Sequence, residues 1–313
     1  MNILCLLLGI FTFVELNCEN LFDTRHDSLK HDMEFLPDSY HYWNKGRYWK
    51  KLNHIGQEII ACGGEGKAWI LPDMVALCEV ENDSVMHDLT KRSLLRQARY
   101  EYIMTDSPDE RGIDVALLYS PFTFQLLSWH AIRVAPLKDM KPTRDILYAA
   151  GRVITGDTLH VFVLHAPSRS GGELATRLNR MVVARRLQAA VDSVRRCSSK
   201  PHILVAGDFN DYTQDASLQY LVTRGLTDIS ASATGTHGAK ATYKYKGEWG
   251  SLDHVLCSTP LLPRFRGCIV ADFPFLLTDD EVYGGVQPLR NFRGAKYFNG
   301  FSDHLPLVAH FEF

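Results

Sequence analysis

Positions 202–211 read HILVAGDFND, an apolar run that breaks off into a polar turn. His202–Ala206 is short and rich in Ile, Leu and Val, which reads as a buried strand. Gly207 lets the chain turn tightly behind it, and Asp208 and Asn210 project together from that turn. An Asx-turn without chemistry is the plain alternative for this segment alone.

The same grammar recurs in both directions along the chain. Apolar runs at Phe11–Leu16, Met74–Cys78, Val115–Tyr119, Leu159–Leu164 and Leu252–Cys257 also end abruptly in polar residues, and polar Ser302-Asp303-His304 leads into a last run, Leu305–Phe313. Between them lie stretches of helical period. In Arg47–Cys62, Tyr48, Leu52, Ile55 and Ile59 share one face, and Gly63-Gly64 stops the helix. A longer helix fits Glu173–Arg196, with an apolar stripe through Leu174, Leu178, Met181, Val182, Leu187, Ala190 and Val194. Its arginines, including Arg177, Arg180 and Arg185, read as a solvated face. Strands alternating with helices predict an α/β fold. No linker splits the 313 residues, so one domain over 1–313 is expected, with two long excursions at Thr24–Asn44 and Asp272–Phe301 as candidate substrate walls.

The composition is that of a folded protein, 46% hydrophobic and 22% charged. A formal charge of −2 argues against coating nucleic acid through sheer positive charge, while leaving room for a local basic groove. Seven cysteines without a C-x-x-C pair suggest neither a zinc knuckle nor a redox centre. Residues 1–12 are ambiguous: Ile3–Phe13 has the apolar content of a signal segment without a basic start or cleavage site, and also reads as part of the first strand. Localisation is therefore left open between cytoplasmic and exported, with no transmembrane segment.

Groups suited to metal or phosphate chemistry stand where the runs stop: Asn17, Glu79, His165, Asp208 with Asn210, and Asp303-His304. Carboxylates and amides without cysteine form an oxygen-rich set that suits Mg²⁺, or Mn²⁺ or Ca²⁺, better than Zn²⁺. Glu79 alone would be an ordinary surface charge, and His165 alone a core histidine. Their ordered combination carries the signal.

Seven segments resemble the endonuclease/exonuclease/phosphatase superfamily, and specifically its bacterial branch with NxENLFD and GFSDHLP. They are NCENLFD (17–23), PDMVALCEVEN (72–82), ERGIDVALLYS (110–120), LHAPSRSGG (164–172), ILVAGDFND (203–211), GSLDHVLCS (250–258) and GFSDHLPL (300–307). The resemblance implies a four-layer α/β/β/α sandwich of two mixed sheets. It further implies metal binding by Glu79 with Asn17 and Asp303, and Asp208 as the base acting on water with Asn210 beside it. His304 would face the scissile phosphate, backed by Asp253; His165 would be a second phosphate-facing histidine, with Asp114 as its partner. Asp114, Arg169 and Arg293 are expected on the substrate side. The reaction so implied is metal-dependent hydrolysis of a phosphate ester, by a monomer without an obligate protein partner. A nucleic-acid phosphodiester is the expected substrate, and inositol-phosphate or lipid head groups are the alternative.

Several features qualify this reading. Leu164 precedes His165 where many relatives carry Asn, and His254 after Asp253 reads as structural. The Asn82-Asp83-Ser84 sequon reads as part of the Glu79 loop. Tyr40–Lys51 interleaves aromatic and basic residues in a way that can stack bases, or can simply open a helix. No G-x-S-x-G elbow supports a serine hydrolase, and Gly63–Lys67 fails as a phosphate loop. The reading from another class is a catalytically silent binding scaffold.

Overall fold

The computed structural model describes residues 9–65 and 68–313. Part of the ambiguous 1–12 segment thus lies outside the described residues. From residue 10 onward it is strand: β1 runs over Ile10–Leu21, pairing its first half with the C-terminal strand. The next elements are α1 (Lys45–Cys62), β2 (Met74–Val80), β3 (Glu101–Met104), β4 (Asp114–Tyr119), β5 (Phe124–Ile132), β6 (Ile146–Val153), β7 (Thr158–His165) and α2 (Glu173–Cys197). The chain continues through β8 (His202–Asp208), α3 (Ala216–Val222), β9 (Leu226–Asp228), β10 (Asp253–Ser258), β11 (Phe265–Val270) and β12 (Leu307–Glu312).

Two six-stranded sheets result, in the orders β11-β12-β1-β2-β4-β3 and β9-β10-β8-β7-β6-β5. Each has one central parallel pair, β1 with β2 and β7 with β8, among antiparallel neighbours. Period-two alternation sends Phe13, Met74, Ala76, Val115 and Leu117 of the first sheet against Val161, Val163, Leu204, Ala206 and Val255 of the second. The opposite faces are covered by helices. Leu52, Ile55 and Ile59 of α1 pack on Val14, Leu16, Val75 and Leu77, while Val183, Leu187 and Val191 of α2 pack on Phe162, Leu164, Ile203 and Val205. This is the four-layer α/β/β/α sandwich of two mixed sheets.

Asn44 caps α1 by accepting from the Arg47 amide at 3.2 Å, which moves the helix start ahead of Arg47. The face expected of α2 is partly wrong. Leu174 and Leu178 are 77% and 67% exposed, whereas Arg180 and Gln188 are buried beside Val183, Ala184, Leu187 and Val191. The Tyr40–Lys51 segment is divided between core and surface, with Tyr40 and Tyr42 exposed and Trp49 half-buried. Trp43, Tyr48 and Lys51 are buried, with the Trp43 indole N–H donating to the Phe22 carbonyl at 3.0 Å and the Lys51 ammonium donating to the Phe301 carbonyl. Among the described residues, no helix is long and apolar enough to cross a membrane.

Candidate active site

The site forms where the two parallel pairs end side by side. In the first sheet, the β1–β2 register runs regularly to Asn17 opposite Cys78, then slips so that Leu21 faces Val80. On the other side of β2, the register jumps from Cys78 to Val80 as well, so both ladders skip Glu79. A bulge of this kind re-aims a side chain, and Glu79 takes a left-handed φ of 62°. Its Oε2 accepts from the Asn20 amide at 2.9 Å. In the second sheet, Asp208 is in register with His165 on one side and Asp253 on the other, so three of the expected site residues share one row. Gly207 makes this close approach possible, because a Cβ there would lie 1.8 Å from the Leu164 carbonyl oxygen.

The row is knitted across the sheets. Asn17 Nδ2 donates to Asp208 Oδ2 at 3.1 Å, His165 Nε2 is 3.5 Å from the same oxygen, and it is 3.9 Å from Glu79 Oε1. The Asn210 amide donates to Asp208 Oδ1 at 2.8 Å, and its side chain donates to the Ala166 carbonyl. His304 enters from the turn before β12, with Nδ1 2.8 Å from Asp253 Oδ2 and its ring 4.8 Å from that of Tyr243. Asp303 next to it is held by Arg290, which donates to Oδ2 at 2.6 Å and lies 3.6 Å from Glu19. The eight residues Asn17, Glu79, His165, Asp208, Asn210, Asp253, Asp303 and His304 therefore come to one place.

Burial governs the charges here. Asp208 is pushed up to about 7, by desolvation first and then by the charge of Asp253, with His304 opposing the rise. Burial alone would lower His304, but Asp253, Asp303 and Asp208 around it raise it well above an ordinary histidine. His165 goes the other way: burial, then the Arg144, Arg111 and His304 charges, hold it well below its usual value and keep it neutral. The strand beneath adds Glu15, fully buried with one unpartnered oxygen and raised by burial and by Asp253 and Asp208.

Asp208, Asp253 and His304 offer ligand atoms within 4.8 Å of one another, and the buried Asp253 Oδ1 lacks a hydrogen-bond partner. This orphaned oxygen, the neighbouring Glu79 carboxylate and the absence of any cysteine sulfur from the donor set fit a hard divalent cation.

Three residues expected on the substrate side behave differently from one another. Arg169 lies over the Tyr212 ring, 3.5 Å from Asp215, beside the Asp208 turn. Arg293 instead sits on the excursion hairpin, donating to Gln287 and facing Phe298; Arg290 is the arginine that reaches Asp303. Asp114 accepts from the Thr105 hydroxyl at 2.5 Å and from the Ser107 amide and hydroxyl, so it braces the loop before β4 and is not the partner given to His165. A 370 Å³ cavity lined by Asp114, Glu81 and Asp27 lies on that side.

Three further residues hold the site from behind: His254 in the structural place expected of it, Arg180 against the solvated face expected of α2, and Arg144 facing inward to carbonyls. Buried Arg144 donates to the His165 and Ala166 carbonyls and to Asp109. Buried Arg180 binds Asp211 at 2.5 Å and so anchors the Asp208–Asp211 turn. His254, also fully buried, lies 2.9 Å from both Asp228 and the Asp211 carbonyl. Nothing in a spacing pattern separates such inward charges from those on a solvated face; only the GDFND turn marked Asp211 as lying near the site.

Comparison with known proteins agrees with this architecture. Two structures from Bacteroides thetaiotaomicron, an endonuclease/exonuclease/phosphatase family protein and a mannosyl-6-phosphatase, each superpose with a TM-score of 0.65 at 16% identity. They cover 97% of this chain and 98% and 100% of their own. A truncated Caenorhabditis elegans TDP2 gives 0.59 at 15% identity, over 97% of this chain and 98% of its own. No curated protein sequence matches the chain. The family model described as Endonuclease/Exonuclease/phosphatase family matches residues 12–312, and the chain belongs to that family.

Proposed function

We propose that this protein is a divalent-metal-dependent phosphoesterase that cleaves a phosphate ester by direct attack of water. The observation that carries the reading is the row His165–Asp208–Asp253 joined to Asn17, Glu79 and His304, in which adjacent acid and base are tuned apart. Glu79, with Asn17 on the adjoining strand and Asp303 on the turn before β12, would hold the cation. Mg²⁺ is the expected ion, with Mn²⁺ and Ca²⁺ as substitutes; when bound, it would neutralise phosphate charge.

Asp208 then orients water through the oxygen not committed to Asn17 and accepts its proton, for which a value near 7 is suited. His304, kept charged by Asp253, donates through Nε2 to a phosphate oxygen as negative charge builds there. Neutral His165, its Nε2 toward Asp208 and Glu79, adds no positive charge beside the cation. Of the two substrate classes, the nucleic-acid reading draws only divided support from Tyr40–Lys51, where Trp43, Tyr48 and Lys51 are buried and Tyr40 and Tyr42 are exposed. The mannosyl-6-phosphatase resemblance brings a phosphomonoester into consideration.

The test is hydrolysis of p-nitrophenyl phosphate and bis(p-nitrophenyl) phosphate with Mg²⁺, Mn²⁺ or Ca²⁺, before and after chelation. Asp208→Ala should keep the fold and lose about a hundredfold or more in turnover. Wild-type-like turnover in that variant would remove Asp208 from the mechanism. Inactivity of the wild type on esters of several classes, with every cation, would favour a silent scaffold.

A further inference from the structure

Resting on the phosphoesterase reading, we infer that Arg111 is a substrate-binding residue that grips a terminal phosphate and tunes the site to phosphomonoesters. The loop carrying it, residues 105–113, is fixed along its length. Lys30 Nζ donates to the Ser107 and Asp109 carbonyls at 2.7 and 3.0 Å, and the His31 amide donates to the Glu110 carbonyl at 2.7 Å. Asp109 accepts from the Arg111 amide and is paired with Arg144, both at 3.0 Å. Gly112, with φ +81°, packs so closely on Lys30 that a Cβ would approach its Cγ to 3.0 Å.

This scaffold delivers the Arg111 guanidinium to the Glu79 end of the row, donating to Asn20 Oδ1 and lying 3.8 Å from Glu79 Oε2. The other cations near the site are engaged or lie at the opposite end. Arg144 is buried on carbonyls and Asp109, Arg290 is held by Asp303 and Glu19, and His304 sits with Asp253. Arg111 alone among these arginines keeps a 44% exposed side chain, with one side-chain hydrogen bond among the described residues and five N–H donors. A phosphate beside Glu79 would lie between this guanidinium and His304, and fixed donors at both ends favour a dianion, the charge of a monoester, over the single charge of a diester.

Arg111→Ala and Arg111→Lys, with Arg111→Gln as a variant of closer size, should be compared with the wild type after melting curves establish folding. The probes are p-nitrophenyl phosphate, bis(p-nitrophenyl) phosphate and, by calorimetry in the presence of Mg²⁺, inorganic phosphate. Loss of the guanidinium should raise KM for the monoester and weaken phosphate binding by about ten- to a hundredfold, with the diester affected by less than about threefold and Lys recovering part of the loss. Unchanged phosphate affinity in the Ala and Gln variants, or equal losses on both esters, would overturn the assignment while leaving an active wild type. An inactive wild type that still binds phosphate through Arg111 would defeat the hydrolase reading and preserve the anion site.

Discussion

Glu58, on the sheet-facing side of α1, has no exposure, and neither of its carboxylate oxygens has a hydrogen-bond partner. Burial, together with Glu19 and against the attraction of Lys51, pushes it up to about 8. The folded chain therefore keeps a proton on Glu58 across roughly pH 4.5 to 8, where the unfolded chain has released it. The folded state binds more protons in that window, so this residue's contribution to stability falls as pH rises, by at most about 1.4 kcal/mol per unit, and levels off above the folded value. Glu58→Met keeps the length without the charge, and should raise the urea midpoint more at pH 8 than at pH 5. An equal shift at both pH values would contradict the assignment. Residues of this kind also mark where the sequence was opaque. Asp208 and Glu79 were legible because each follows an apolar run, and His304 because it stands in the polar turn that leads into the last one, whereas Glu15, Glu58, Lys51, Arg144 and Arg180 are ionisable groups buried within elements or behind loops. Their inward direction depends on neighbours supplied by distant parts of the chain.

At the level of elements, the weak point is the junction of β7 and β8. Gly207 has φ +142°, and any Cβ would meet backbone, the Leu164 carbonyl, which cannot swing aside as a side chain could. Gly207→Ala should force the strands apart at the register pair that carries His165 and Asp208, costing about 2 kcal/mol or more and most of the activity. Gly156, in the β6–β7 turn, also has a left-handed φ, of +87°, but nothing within 4 Å of a new Cβ. Gly156→Ala should cost about 1 kcal/mol and leave turnover near wild type, and thermal melts paired with activity assays separate the two. Similar losses in both variants would show that local φ strain, not the strand contact, is the operative cost. The central strands were legible for the reason that makes them sensitive: burial on both faces leaves unbroken apolar runs. Edge strand β5 was not, since Gln125 and Ser128–Ala131 are exposed and the strand carries no apolar rhythm. The face of α2 was misjudged because Arg180 turns inward to Asp211, a partner from a distant turn that helical periodicity alone cannot weigh; Gln188 is buried as well, donating to Asp192 one turn on along the same helix.

Across the whole molecule, the two sheets each deliver acids to one buried seam. Burial raises Glu15, burial and the charge of Asp303 raise Glu19 to about 7, and burial and Asp253 raise Asp208 to about 7. Without a cation, the folded chain takes up protons there between the ordinary carboxylate range and about pH 7, so stability falls as pH rises through that window. A divalent ion binds the deprotonated carboxylates and competes with those protons, which makes its stabilisation pH-dependent. At a concentration a hundred times its dissociation constant, it would add about 2.7 kcal/mol to the folded state. Mg²⁺ or Mn²⁺ should therefore raise the melting temperature more at pH 8 than at pH 6, and chelation should reverse the gain. Asp208→Asn removes one of the raised carboxyls while keeping its shape, so it should reduce both the cation-dependent shift and its dependence on pH. If the melting temperature is indifferent to millimolar cation at both pH values, the seam is not a cation site, and its raised acids are held neutral by burial alone.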